Sequence, residues 1–593
     1  MRKFFKKYFY LVDAQAKRQI PLLIINFLFL AFLDVIGIGL MGTFLFFLTS
    51  STTALQHVPS VKHLIQRYPQ EHLIIYAGLL LVGALIFKTI MTLWIQKKIT
   101  YFSQESYVRI CARIMRSYQY APYVYHLQKN SSYLLDIVSR SGSYIYAVLM
   151  PFLNFFSNLL IGFSILGFLL YERFIPTLFL CALFVTVGVI QDFIVKKKLT
   201  AAGKVIATLS GEGGKALHQG LGGIKEIRVL GRESYFLKRF VVCNEKKMDA
   251  QGVVSVLNFL PRYLVENGIA IFIVGLCIEN IISGYNASSV LVTVGMFAVA
   301  GARLLPMMTS ILSFLNNIRF SFPEVELIYN ELEELKKIEK VSLIYEEESK
   351  RVRISPLPFL KEVFLENMTF VYPKAKLPAI QNVSMRIIRG KSIGIVGPSG
   401  AGKSTVASII LGLITPQQGR LLIDGTPLVD LRGWLNHLAY IQQSIFLLDD
   451  TLKRNIAMGI EDSGIEEARI WNAINMAQLQ EVVEQLPQGI DTVIGENGVR
   501  LSGGQRQRVA LARAFYHERD VIVMDEATSA LDNETEKEVI NAIKHLKGQQ
   551  KTLIVIAHRL STVEHCDVLY RFEKGRITDV GSYEQVVGTL IKT

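Results

Sequence analysis

Cysteine is scarce and unpaired. Cys111, Cys181, Cys243, Cys277 and Cys566 are scattered along 593 residues with no paired spacing. No disulfide framework or zinc site is implied, which fits a reducing cytoplasm. No cleavable secretion signal is expected either, because the first apolar run is long and lacks a small-residue cleavage site. Regular polar faces are missing from the six longest apolar runs, near 20–49, 72–95, 143–170, 174–195, 254–282 and 288–315. Each is long enough for the roughly 20 residues that cross a bilayer. Six such runs without polar faces are hard to cover with protein, so buried helices of a soluble protein are the weaker reading.

What is present agrees. The chain is 51% hydrophobic, with mean hydropathy +0.33, and the long apolar runs fill its first half. The last third has ordinary globular texture, and the length exceeds what one core supports, so at least two domains are expected. Net charge is +14. Nucleic acid could explain that, but the basic residues flank apolar spans, which favours an anionic membrane surface and no nucleic-acid partner.

Charge placement predicts orientation. Arg2, Lys3, Lys6, Lys7, Lys17 and Arg18 precede the first span; Lys97, Lys98, Arg109, Arg113, Arg116, Lys129 and Arg140 lie between the second and third. Lys196, Lys197, Lys198, Lys225, Arg228, Arg232, Lys238 and Arg239 follow the fourth. The other connections are short and nearly uncharged, so both termini are expected in the cytoplasm. The two basic segments read as helical, predicting that spans two to five run well past the membrane. Leu55, Val58, Val61, Leu64 and Ile65 recur at helical spacing and suggest a small amphipathic helix on the outer face. Inside the spans, Asp34, Lys88, Arg262, Glu266, Glu279 and Arg303 are costly. Lys88, Arg262 and Arg303 are candidates for positive charge in a cavity; alternatively, Arg262 and Glu266, at i and i+4, neutralise each other.

The last third carries chemistry. SIGIVGPSGAGKST is an apolar strand, a glycine-rich loop and a helical run. Gly397, Pro398, Ser399, Gly400, Ala401, Gly402, Lys403 and Ser404 fit G-x-x-x-x-G-K-[ST], whose backbone N–H groups close around phosphate. Lys403 adds charge at the outer phosphates, Ser404 a hydroxyl for Mg²⁺, and Thr405 further phosphate contact. VIVMDE ends a strand in two carboxylates: Asp525 suits a Mg²⁺ shell, and Glu526 can orient and deprotonate water. Gln443 follows another strand and could ligate Mg²⁺ or position water; His558 leaves a third and could reach a γ-phosphate. Tyr372 offers a ring for adenine to stack on. In LSGGQ, Ser502 is a good N-cap, while Gly503 and Gly504 strip the first helical turn of side chains, exposing N–H groups and a positive dipole end to an anion.

GPSGAGKST, the glutamine at 443, LSGGQ, VIVMDEATSALD and AHRLST together resemble an ATP-binding-cassette domain, and the six preceding spans resemble the exporter type with both domains in one chain. The resemblance implies an all-α six-helix transmembrane domain (1–320), a charged linker (321–359) and an α/β P-loop cassette (360–593), with ATP and Mg²⁺ as cofactors. It also implies that Ser502, Gly503, Gly504 and Gln505 cap the γ-phosphate of a nucleotide bound by a partner cassette. This chain has one cassette, so a second copy of itself is the expected partner. Asp532, in SALD, would communicate between the two sites, and Glu496 would signal to the membrane half. One departure is Gln442, where the family often has Pro.

FLDVIGIG, APYVYHLQKNSSYLLDIVSR, GLGGIKEIRVLGRESYF, FLPRYLVEN and AGARLLPMM are similar to bacterial flippases of lipid-linked oligosaccharides (the PglK type). That implies the bacterial inner membrane and a polyprenyl pyrophosphate glycan as cargo, with segments near 120–130 and 213–230 touching the cassette. Arg262 and Arg303 would suit such an anion. An exporter of drugs, free lipid or peptide on the same scaffold remains the alternative. A gated channel is disfavoured by the intact Glu526.

Overall fold

The structure, a computed structural model, describes residues 7, 10, 14–49, 69–144, 148–283, 287–350, 357–525, 551–557 and 559–592. It divides into two units, Met1–Gln119 with Lys129–Glu339, and Tyr120–Gln128 with Lys340–Thr593. The amphipathic segment 55–65 lies outside the described residues, as do Glu526, Asp532 and His558.

The first unit is helical because its apolar runs must satisfy their backbone groups internally once out of water. Its helices are α1 (Ala14–Thr49) and α2 (Gln70–Gln119), which leads by way of α3 (Tyr123–Gln128) into α4 (Ser131–Tyr144). Then come α5 (Met150–Glu172), α6 (Phe174–Gly222), α7 (Ile224–Leu230), α8 (Glu233–Ile282) and α9 (Ala287–Lys350). Six of these are long and apolar enough to cross a membrane. α2, α6 and α8, of 50, 49 and 50 residues, reach about 75 Å at 1.5 Å per residue, more than twice the hydrocarbon thickness. The third span differs: α5 has only 23 residues and opens with a proline at its first turn, a position where the missing N–H costs nothing. The helical stretch before it is the separate α4. The sixth span also runs long, so that Glu331–Lys337, expected in a linker, is helical within α9.

Small residues and buried polar pairs join these helices. On α6, Val195, Leu199, Ala202 and Ile206 form one stripe against Ala250 and Val254 of α8. A Cβ on Gly203 would collide with the Phe320 carbonyl, so glycine permits close backbone approach between α6 and α9. Nearby, Gln191 donates to Asn316 at 3.3 Å, and Asp192 pairs with Arg319. Glu331, 3% exposed, accepts from the Tyr133 hydroxyl at 2.8 Å, the Tyr118 hydroxyl at 3.3 Å and Lys129 at 3.5 Å. Burial first, and then that carboxylate, push both phenols above their usual range.

In the second unit, alternating burial marks the antiparallel strands, and unbroken apolar runs mark the parallel core. The antiparallel sheet has the order β2-β1-β4-β5, from β1 (Glu362–Phe370), β2 (Ile380–Ile388), β4 (Gln418–Ile423) and β5 (Thr426–Pro427). The larger sheet has the order β10-β9-β3-β8-β7-β6, with β3 (Ser392–Val396), β6 (Leu438–Ile441), β7 (Val521–Asp525), β8 (Thr552–Ile556), β9 (Val568–Glu573) and β10 (Arg576–Gly581). β3, β7 and β8 are buried at every position. Helix α10 (Lys403–Ile410) follows β3, and Trp434, fully buried, donates from Nε1 to the Ile410 carbonyl at 2.8 Å. That satisfies one of the carbonyls the helix end leaves open. Helix α11 (Gly503–Tyr516) precedes β7, and α12 (Tyr583–Lys592) closes the unit. The short α3 belongs here too, with Val124 packed on the core formed by β1, β2 and α10.

His517 ends α11. A helix C-terminus normally favours a protonated histidine. Here burial, with Arg519, Arg513 and Arg469 close by, pushes its pKa down from 6.5 to about 4. Above pH 6.5 the neutral ring costs nothing; below it the unfolded chain takes up a proton that the folded one refuses, so stability falls until about pH 4. The Tm should therefore drop on acidification through this window, and His517→Phe should flatten the drop; an unchanged acid limb would contradict this.

Candidate functional site

Parallel pairing sets the positions of the site residues. Ile395 of β3 aligns with Ile556 of β8, Ile556 with Asp525 of β7, and Met524 with Ile441 of β6. The strands run the same way, so the loop after β3, Asp525 at the end of β7, and Gln443 just past β6 emerge at one edge of the sheet. Open α/β sheets bind ligands at that edge.

The loop itself is built for phosphate. Ser399 and Gly400 are exposed, while Lys403 is only 4% exposed and donates from Nζ to the Gly397 and Pro398 carbonyls at 2.8 and 2.9 Å. Those bonds fix the ammonium against the loop's own backbone. Gly402 sits at φ +99, where a Cβ would lie 2.6 Å from the Ala379 carbonyl; no other residue fits without strain. Thr405 is buried and meets the Tyr372 hydroxyl at 3.2 Å, and the Tyr372 ring packs edge-on against Phe370 at 4.9 Å. Tyr372 thus stands at the mouth of the loop. Ser404, Gln443 and Asp525 carry hydroxyl, amide and carboxylate oxygens, which are hard donors of the type Mg²⁺ prefers.

The structure adds Tyr440, which sequence reasoning missed. Its hydroxyl donates to Asp525 Oδ2 at 3.3 Å, and burial together with that carboxylate raises its pKa. Tyr123 of α3 adds to the same shift, which places this turn near the residue that braces Asp525. The signal available in sequence was the position of Tyr440, three residues before Gln443 on β6.

At LSGGQ the expected cap forms. Ser502 Oγ accepts from the Gln505 N–H at 3.2 Å, and Gln505 Oε1 accepts from the Ser502 N–H at 2.8 Å, a reciprocal box. The Gln505 side chain is therefore occupied by its own helix. The first-turn N–H groups of Gly503 and Gly504 have no acceptor within α11.

In the membrane half, Lys88 does not offer free charge: it is in an ion pair with Asp34, the side chains 12% and 3% exposed. Both share a small cavity with Arg303. Arg262 lies 3.9 Å from Glu266, and both are more than half exposed, so the neutralising alternative describes the geometry better than a buried anion site.

Comparison with known proteins agrees. The family model described as ABC transporter matches residues 380–529. An ATP-dependent lipid A-core flippase of Cupriavidus metallidurans is 31% identical over 436 residues, covering 72% of this chain and 70% of the relative. The chain belongs to the ABC transporters. It is a half-transporter, with its membrane domain and cassette fused, and it couples ATP hydrolysis to transport. A flippase of the same description from Salmonella typhimurium is 32% identical over 399 residues, 66% of each chain. A bacterial Atm1-family ABC exporter solved with ATP bound shares the fold, at TM-score 0.74 and 20% identity over 96% of this chain and 97% of that one.

For this transporter, Gly402→Val should cost about 1–3 kcal/mol of stability through strain at a left-handed position and abolish ATP binding. Gly588→Ala, exposed with open space around it, should change neither in nucleotide titration and thermal unfolding. Undiminished ATP affinity in Gly402→Val would contradict the cradle.

Proposed function

We propose that this transporter is an ATP-driven flippase that moves an anionic lipid-linked oligosaccharide or polysaccharide precursor from the inner to the outer leaflet of the bacterial cytoplasmic membrane. The observation carrying this reading is Arg303: a guanidinium inside an apolar span, with no hydrogen bond or ion pair among the described residues. Placing such a charge inside a span is expensive, and a phosphate-bearing lipid gives it a purpose. Relatives named as lipid A-core flippases support a lipid cargo. The basic residues flanking the spans support cytoplasmic termini; 1–320 serve as membrane domain, 321–359 as a linker that is helical as far as Lys350, and 360–593 as cassette.

Two copies act together. In each site the loop of one chain, with Lys403 and Thr405, grips the phosphates of ATP, and Tyr372 receives the adenine. Ser502, Gly503, Gly504 and Gln505 of the other chain close over the γ-phosphate. Mg²⁺ at Ser404, Gln443 and Asp525 would neutralise charge on the phosphate oxygens. Glu526 orients and deprotonates the attacking water, His558 acts on the γ-phosphate, Gln443 positions the water, and Asp532 links the two sites. Closure has higher affinity for ATP than the open state, and that difference drives the change in access. The turn Tyr120–Gln128 carries the motion through its contact with the cassette core.

Vesicle reconstitution with a panel of lipid-linked sugars tests this. ATP-dependent translocation of the glycan lipids is expected, with Arg303→Glu abolishing it and Arg303→Lys retaining part. Transport of unrelated neutral amphiphiles alone, indifferent to Arg303→Glu, would favour the drug-exporter reading.

A further inference from the structure

Asp34 is the residue left unexplained. A carboxylate 3% exposed inside the first span is costly, and stability alone does not account for it, since a buried ion pair commonly gains nothing over apolar packing. Its surroundings suggest a purpose. α1, α2 and α9 line a cavity of about 90 Å³, and Asp34, Lys88 and Arg303 are all in its wall. That is well above the roughly 10–15 Å³ that one water needs by the same measure, room for a phosphate-sized group. Lys88 is bonded to Asp34, and Arg303 has no partner among the described residues. Two cations and one carboxylate leave a net charge of +1.

We propose that Asp34 sets the charge specificity of the substrate site: it holds the triad at a single positive charge, so that the site accepts one singly charged phosphate unit. Such a unit occurs in a phosphodiester and in each half of a substituted pyrophosphate. A terminal phosphomonoester carries close to two charges above a pKa of about 6. It would face Asp34 with its second charge uncompensated, and in a low-dielectric cavity that repulsion is large. The inference rests on the flippase reading and adds which phosphate the site selects.

The sum of charges, rather than any one side chain, makes the test. Asp34→Asn gives +2, Lys88→Gln gives zero, and the double variant Asp34→Asn/Lys88→Gln returns to +1. The probes are a polyprenyl phosphomonoester and its methyl phosphodiester with the same tail, added to transporter in phosphatidylcholine nanodiscs at about pH 8, where the monoester is doubly charged. The readout is the half-saturating concentration of each lipid for ATPase stimulation. Wild type should favour the diester. Asp34→Asn should shift the ratio toward the monoester by roughly tenfold or more. Lys88→Gln should weaken both lipids, and adding Asp34→Asn to it should restore the wild-type preference. That rescue decides the matter even if Asp34→Asn alone does not fold. An unmoved ratio in Asp34→Asn, or no rescue in the double variant, overturns the inference while leaving the flippase reading intact. A wild type that responds to neither lipid overturns both.

Discussion

A buried ammonium governs the cassette. Lys403 is almost wholly enclosed, and its charge is tolerable because the phosphate loop's own carbonyls, at Gly397 and Pro398, accept its hydrogen bonds. The rest of the site follows from that loop. It needs β3 buried on both faces to aim it, Gly402 in a left-handed conformation to let α10 begin beneath it, and parallel neighbours to bring Asp525 and Gln443 to the same edge. Tyr440 then braces Asp525 from β6. Charge, backbone conformation and sheet direction are mutually consistent here.

The membrane half meets a different problem, cations placed within apolar spans. Lys88 is answered from within by Asp34 and Arg262 partly by Glu266 along its own helix. Arg303 is answered by nothing described in its own chain. Small residues such as Gly203 let helix backbones approach, and polar pairs such as Gln191 with Asn316 join α6 to α9. The C-terminal end of α2 meets α4 and α9 at Glu331, where Tyr118, Tyr133 and Lys129 converge on one carboxylate.

Much of this was legible in the sequence because the governing rules are local. The phosphate loop has fixed spacing, β3 and β7 are unbroken apolar runs ending in functional residues, and the Ser502–Gln505 box spans four residues. The six spans follow from length and hydropathy. Long-range pairing was not legible. Asp34 and Lys88 are 54 positions apart, and Tyr440 and Asp525 are 85 apart, so only helix packing and strand order bring them together. The separate α4 and the continuation of α9 to Lys350 also escaped, since charged helical sequence reads much like a solvated linker. Glu526, Asp532 and His558 rest on motif alone.

The claim on which most depends is that each nucleotide is gripped by loops from two different chains. Its most direct measurement is complementation of Lys403→Ala by Gly504→Glu. Each variant alone should fail to trap ATP, because every site of either homodimer carries a defect. Mixed during assembly, they form dimers in which one site combines an intact loop with an intact signature helix. ATP trapping that reappears only on mixing is the expected result. No recovery from well-assembled mixed dimers, or full trapping by an isolated monomer, would contradict the two-chain site.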